Sequence, residues 1–211
     1  MRIALATAVI AAALPTYAAN AQSITSEFRG IRVEGNAGWD RFQSEGTHNN
    51  KFGYGATVGF DGVLADRIVV GPEASFWRAN KWSENCTGGI NGGSVCHKSF
   101  QEYGVAVRAG FLVTPDLLVF GKGGYVNNEQ RKRFDAPPGL YYVNGQIVGP
   151  ETSYYNHGRT DGYQFGGGVE YSLTGLSLPV PVYVSGQYVY ANYADHTARQ
   201  RAMLGVGVRF K

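Results

Sequence analysis

The stretch DGYQFGGGVEYSL, Asp161 to Leu173, decides how the rest of the chain reads. Successive side chains of a β-strand point to opposite faces. On that period Tyr163, Phe165, Gly167, Val169 and Tyr171 share one face, an apolar row that begins and ends in tyrosine. Gln164, Gly166, Gly168, Glu170 and Ser172 share the other. Three consecutive glycines argue against a helix, since each weakens it by about 1 kcal/mol relative to alanine. In a strand, the inward glycines leave room for larger groups arriving from across an enclosed space. Glu170 on that face then requires a partner, because an unpaired buried carboxylate is very costly.

The same alternation recurs outward from this stretch. It appears over Phe28 to Phe42, Lys51 to Asp61, Arg67 to Lys81, Ser99 to Val113 and Leu117 to Gln130, then over Arg159 to Leu173, Val182 to Asp195 and Ala198 to Phe210. It is clearest where Tyr103, Val105, Val107, Ala109 and Phe111 alternate with Glu102, Gly104, Ala106, Arg108 and Gly110. No segment beyond the N-terminus carries a three-to-four-residue apolar period, so these eight segments predict an all-β chain. Two features separate a transmembrane barrel from a soluble sandwich. The connectors alternate between short ones (GVLADR, TPD, TGLSLPVP) and polar ones of about eighteen and twenty-eight residues, too long for a compact domain and suited to extracellular loops. The even-numbered strands also end their apolar rows in Phe60, Phe111, Tyr171 and Phe210, and three begin them with Tyr54, Tyr103 and Tyr163. At ~3.3 Å per residue and a ~40° tilt, eight residues rise ~20 Å, close to the ~25 Å apolar band between two aromatic girdles. The expected fold is an eight-stranded antiparallel up-and-down transmembrane β-barrel with short periplasmic turns and long extracellular loops.

An eight-stranded barrel encloses only enough space for side chains. Parity assigns Arg32, Arg108, Lys122, Arg201 and Arg209 to its interior as cations, and Glu34, Asp61, Glu73, Glu102 and Glu170 as anions. Equal numbers of each sign imply an interlocked ionic core in place of an open water channel. The glycine run is no phosphate loop, since no helix follows it.

The ends of the chain set the compartment. Arg2, the apolar run Ile3 to Leu14, and Ala19-Asn20-Ala21 form a secretory signal with an A-x-A-type site, so residues 1–21 are expected to be removed and 22–211 to form the barrel domain. Without Arg2 the formal charge of +3 becomes +2, which gives no reason to expect nucleic acid as a partner. In the oxidising compartment that follows export, Cys86 and Cys96 are expected to form a disulfide.

Four motifs in order, LLVFGKGGYV (Leu117 to Val126), GYQFGGGVEYSL (Gly162 to Leu173), GQYVYANYAD (Gly186 to Asp195) and the terminal GVGVRF (Gly205 to Phe210), resemble the eight-stranded outer-membrane barrels of the opacity-porin and outer-membrane-protein-A transmembrane-domain type. The resemblance covers essentially the whole chain. It implies an outer-membrane location with both ends periplasmic. It also implies contact with outer-membrane lipid and lipopolysaccharide, and delivery to the barrel-insertion machinery through the C-terminal strand. Family members are structural proteins, surface antigens, adhesins or small porins. The chain ends in Lys211 where the family's assembly signal usually ends in an aromatic, leaving Phe210 to serve, and no peptidoglycan-binding domain is expected after it.

The remaining polar residues fall in the predicted loops. His48, His97, His157 and His196 lie one per extracellular loop, and nothing in the sequence fixes their distances as a metal site would require. Arg131 to Phe134, RKRF, sets basic residues beside aromatics, a pattern suited to lipopolysaccharide phosphates or a host glycan. His97 and Ser99 resemble the His-x-Ser pair of the outer-membrane lipid A deacylases, but no acid is placed to orient the histidine. No cofactor and no catalytic residue is assigned. The leading expectation is a structural or surface-interaction barrel with a closed ionic lumen, the second is a small porin, and a lipid-modifying hydrolase is the remote third.

Overall fold

A computed structural model describes residues 28–44, 46–88, 93–136, 139, 141–148, 152–173 and 180–210. Residues 1–21, expected to be a signal segment, lie outside the described residues. The described residues form ten strands: β1 (Gly30–Ser44), β2 (Thr47–Leu64), β3 (Ile68–Gly88), β4 (Ser94–Leu112), β5 (Leu117–Asp135), β6 (Tyr141–Val143), β7 (Gln146–Val148), β8 (Tyr154–Ser172), β9 (Val182–Tyr193) and β10 (Ala198–Phe210). Eight of them close into an antiparallel barrel in the order β1-β10-β9-β8-β5-β4-β3-β2, and β6 and β7 pair separately as a small hairpin. β1 closes on β10 through an unbroken register from Ile31↔Phe210 to Gln43↔Ala198. Closure leaves no unpaired strand edge at membrane depth, where each unsatisfied backbone group would cost several kcal/mol.

The extracellular connectors are long, and much of their length is itself strand. Most of the residues read as loops are strand: β3 runs on to Gly88, β4 resumes at Ser94, β5 runs to Asp135 and β8 resumes at Tyr154. These four strands pair at their upper ends, Cys86 opposite Cys96, Cys96 opposite Arg133 and Arg133 opposite Tyr155. β6 and β7 are joined by Asn144 and Gly145, both at positive φ as a tight primed hairpin turn requires. On the other side of the barrel, β1–β2 and β9–β10 turn back early. One half of the rim therefore stands as a tall four-stranded wall, roughly 20 Å above the level of Tyr103 at β4.

The outer surface carries the apolar rows. Val105, Val107, Val58, Val169, Leu204 and Val206 are all exposed, which in water would be an aggregation surface and here faces lipid. The periplasmic mouth is stoppered from within by a cluster of Phe28, Val69, Leu112, Leu118 and Phe120.

Candidate functional site

The interior holds two ionic clusters stacked along the barrel axis. In the lower one Asp61 meets Arg32 at 3.2 Å, Arg209 at 2.8 Å and Arg108 at 3.7 Å. Glu170 meets Arg108 at 2.6 Å and Arg209 at 2.8 Å. Glu73 joins Arg32 and lies 2.8 Å from Lys122 Nζ, so all seven groups are linked. Arg108 also stacks over Phe120, and Arg209 over Phe28 and Tyr183, tying the charges to the apolar stopper beneath. The upper cluster contains Glu102 with Arg201 at 2.7 Å and Arg199 at 3.4 Å, and Arg199 with Asp40 at 3.2 Å. The Tyr193 hydroxyl donates to Glu102 and the Trp77 indole N–H donates to Asp40.

Each of the ten sequence-assigned charges points inward, and their side chains meet as described except for Glu34. That carboxylate, 2% exposed, accepts from the amide of Gln187 at 3.0 Å between the two clusters. Asp40 and Arg199 were missing from the sequence-based set, and both are fully buried. Among the described residues they correct five against five to six against six. Their parity was readable, since Asp40 follows Asn36 by four residues and Arg199 precedes Arg201 by two.

Inward glycines shape this packing. A Cβ at Gly207 would sit 2.3 Å from the Tyr183 ring, and one at Gly53 2.3 Å from the Trp77 ring. A Cβ at Gly104 would lie 2.6 Å from Gln164 Nε2. Between the clusters a cavity of about 10 Å³, bounded by Asn36, Thr57, Trp77, Lys122, Gln164 and Arg201, is at the lower limit for one water molecule. The interior is packed at three levels, two ionic and one apolar.

The outward aromatics form two bands. Phe60, Phe111, Tyr171 and Phe210 are 47–50% exposed near the periplasmic end. Tyr54, Tyr103 and Tyr163 are exposed toward the other end, joined by Phe165 of the same apolar row and by Trp39, Phe52, Tyr125 and Tyr188, which were not assigned to a band from the sequence.

Above the upper band the wall is bound by charge and by a covalent bridge. Cys86 and Cys96 are disulfide-bonded across β3 and β4. On its outer face Arg131 bonds Glu84 at 2.8 Å and lies over the Tyr155 ring. Burial opposes the Arg131 charge most strongly of any single effect, but hydrogen bonds and charge attraction to Glu84 and Tyr155 together outweigh it and raise its pKa above the ordinary range. Arg133 pairs with Asp135 at 3.0 Å, and His157 Nε2 lies 2.9 Å from Glu129. The bridge closes a short loop, so removing it with Cys86→Ser plus Cys96→Ser should lower the stability of the wall by about 2–3 kcal/mol. Limited proteolysis of folded protein checks this: the variant should be cut between β3 and β4 far faster, and unchanged cutting would refute it.

The histidine expectation is corrected. His48, His97 and His157 lie inside paired strands, and only His196 sits in a turn. His97 is 3% exposed, and the residues assigned one per loop converge on no common site among the described residues. Ser99, also buried, accepts from Arg199 Nη2 at 2.7 Å and shares a hydrogen bond with Asn128.

A closed antiparallel barrel with an apolar, aromatic-banded exterior and a charged interior defines an integral outer-membrane protein, and the protein resides in the bacterial outer membrane. Residues 4–210 match the model of the outer membrane protein beta-barrel domain, and the chain belongs to that family. A comparison with curated protein sequences finds no match. Among solved structures the chain is similar to Ail, the attachment invasion locus protein of Yersinia pestis, at 16% identity and a TM-score of 0.50, covering 86% of this chain and 99% of that one. It is similar to Neisserial surface protein A at 13% identity and a TM-score of 0.50, covering 86% and 97%. At these identities the likeness establishes the fold.

Proposed function

We propose that this protein acts at the cell surface, with the barrel as a closed anchor and the tall wall of β3, β4, β5 and β8 as the part that meets a partner. The observation that carries this reading is the filled interior: two ion-paired clusters and an apolar stopper occupy the path a solute would take. The protein works without catalysis. Ser99, the serine of the His-x-Ser pair, is buried under Arg199 and Asn128, so its hydroxyl is not presented to a lipid ester. Outer-membrane lipid surrounds the apolar band, lipopolysaccharide is met by the basic and aromatic residues above it, and the strand ending at Phe210 is the segment read by the insertion machinery. Ail, the attachment invasion locus protein, is a barrel of this fold, and a role in attachment fits a barrel used this way.

The test is to replace residues 79–100 and residues 129–159 each by a four-residue turn and compare cells carrying the full and the shortened protein for adhesion to host cells or matrix. The shortened barrel should still insert and shift its gel mobility on heating, while adhesion falls to the level of cells without the protein. Adhesion that survives removal of the wall would sink the reading.

A further inference from the structure

Three successive inward residues of β9 end in oxygens that bond nothing. Tyr183 Oη, Ser185 Oγ and Gln187 Oε1 have no hydrogen-bond partner among the described residues, and all three residues are more than nine-tenths buried. Glu34 and Asn36 of β1 face them across β10. Glu34 lies opposite Gly207 and Gly207 opposite Tyr183, while Asn36 lies opposite Gly205 and Gly205 opposite Ser185. Both middle positions are glycine, so no β10 side chain stands between the two flanking strands.

The oxygens converge over Gly205. A Cβ there would lie 2.4 Å from Ser185 Oγ, 2.6 Å from Glu34 Oε1 and 2.8 Å from Asn36 Oδ1. Those separations are too short for a methyl carbon, but they approach the distances at which oxygens ligate a hard cation. Asn36 is held in this orientation because its Nδ2 donates to Thr57 Oγ1 at 3.1 Å. Gln187 Nε2 donates to Glu34 Oε1 at 3.0 Å and to Asn36 Oδ1 at 3.1 Å. Half a turn of that amide exchanges its nitrogen for its unpartnered oxygen and brings a fourth ligand to the group.

Charge identifies what the oxygens hold. Asp40, Asp61, Glu73, Glu102 and Glu170 each pair with an arginine, whereas Glu34 meets no lysine or arginine among the described residues. A buried carboxylate left so is very costly. Carboxylate, carbonyl and hydroxyl oxygens are ligands for hard metal cations. In the lower cluster Arg32, Arg108, Arg209 and Lys122 already exceed Asp61, Glu73 and Glu170 by one positive charge, which disfavours a divalent ion nearby. We infer that Glu34, Asn36, Ser185 and Gln187 bind a sodium ion inside the barrel, over Gly205. Bound there, the ion ties β1 to β9 across β10, at the seam where the barrel closes. The inference goes beyond the surface reading and concerns the interior alone.

The test is urea unfolding of the folded barrel in detergent micelles. Sodium chloride is exchanged for N-methylglucamine chloride at constant ionic strength, so that screening of exposed charges stays fixed. The urea midpoint should rise steadily from about 1 mM to about 300 mM sodium, as for a ligand bound only by the folded chain. Glu34→Gln removes the charge and should flatten that rise. Ser185→Ala removes one neutral ligand and should need about tenfold more sodium for the same midpoint, which keeps the test decisive if Glu34→Gln does not fold. A midpoint that ignores sodium, or a Ser185→Ala variant that follows sodium as the unaltered chain does, would overturn the inference. A midpoint that follows pH but not sodium, and loses its pH response in Glu34→Gln, would overturn it in favour of a proton on Glu34. The same rise with calcium at far lower concentration would overturn the monovalent assignment. A barrel that ignores sodium and conducts no ions defeats this inference alone, whereas a conducting barrel defeats the closed-anchor reading.

Discussion

Asp61→Ala is expected to destabilise the barrel by about 3–5 kcal/mol, because it removes one carboxylate from a buried cluster and leaves its cations uncompensated. Asp61 is fully buried and lies within 4 Å of three guanidinium groups, those of Arg32, Arg108 and Arg209. Glu170 and Glu73 remain, but each is already shared between two cations. Adding Arg209→Met to Asp61→Ala should recover part of the loss, since an apolar side chain is tolerated where an unpaired charge is not, and the two positions are coupled. Urea titration followed by heat-dependent gel mobility reads both. A loss below about 1 kcal/mol for Asp61→Ala, or a double variant weaker by the sum of the singles, would show that the cluster does not behave as a charge-balanced unit.

The second large effect lies on the opposite face. Val107→Arg should cost about 2–4 kcal/mol, the expected penalty for an arginine on the lipid side near the membrane midplane. Val107 is 59% exposed and sits midway along β4 between Tyr103 and Phe111. Ile147 is 61% exposed, but it belongs to the small β6–β7 hairpin above the membrane. Ile147→Arg should change stability by no more than about 0.5 kcal/mol, as for an ordinary surface position. Two residues of nearly equal exposure then differ only in the solvent that covers them. Equal tolerance at both would place Val107 outside the lipid-facing surface.

The parts of the fold legible in the sequence are those where two different solvents meet a period of two. Between the aromatic bands every outward residue faces lipid and every inward residue faces a crowded polar interior. Tyr163 to Tyr171 and Tyr103 to Phe111 therefore alternate cleanly, and the inward charges follow by parity. Above the bands the contrast ends. Water bathes the outer face, so Lys98, Arg131, Arg133 and Arg159 stand where valines would otherwise be, and the alternation fades while the backbone ladder continues. That is why the upper parts of β3, β4, β5 and β8 read as polar loops, and why His97 was placed in a loop. Asp40 and Arg199 lie near the same boundary, where a charge at a strand end resembles a solvated one. The Asn144-Gly145 pair is a different case, because it is a strong hairpin signal flanked by Tyr141 to Val143 and Gln146 to Val148. The grouping of Ser185 and Gln187 with Glu34 over Gly205 was not legible at all. It depends on how β9, β10 and β1 align, which is a property of the paired register and of no single residue.

The closed interior is tested most directly by single-channel recording of refolded residues 22–211 in a planar bilayer, with folding verified beforehand by gel shift on heating. The packed clusters predict a folded barrel with no steady conductance, and no change in that silence when extracellular segments are removed. Steady conductance that shifts when Glu102 or Arg108 is neutralised would contradict the closed anchor and make the inward charges the lining of a channel.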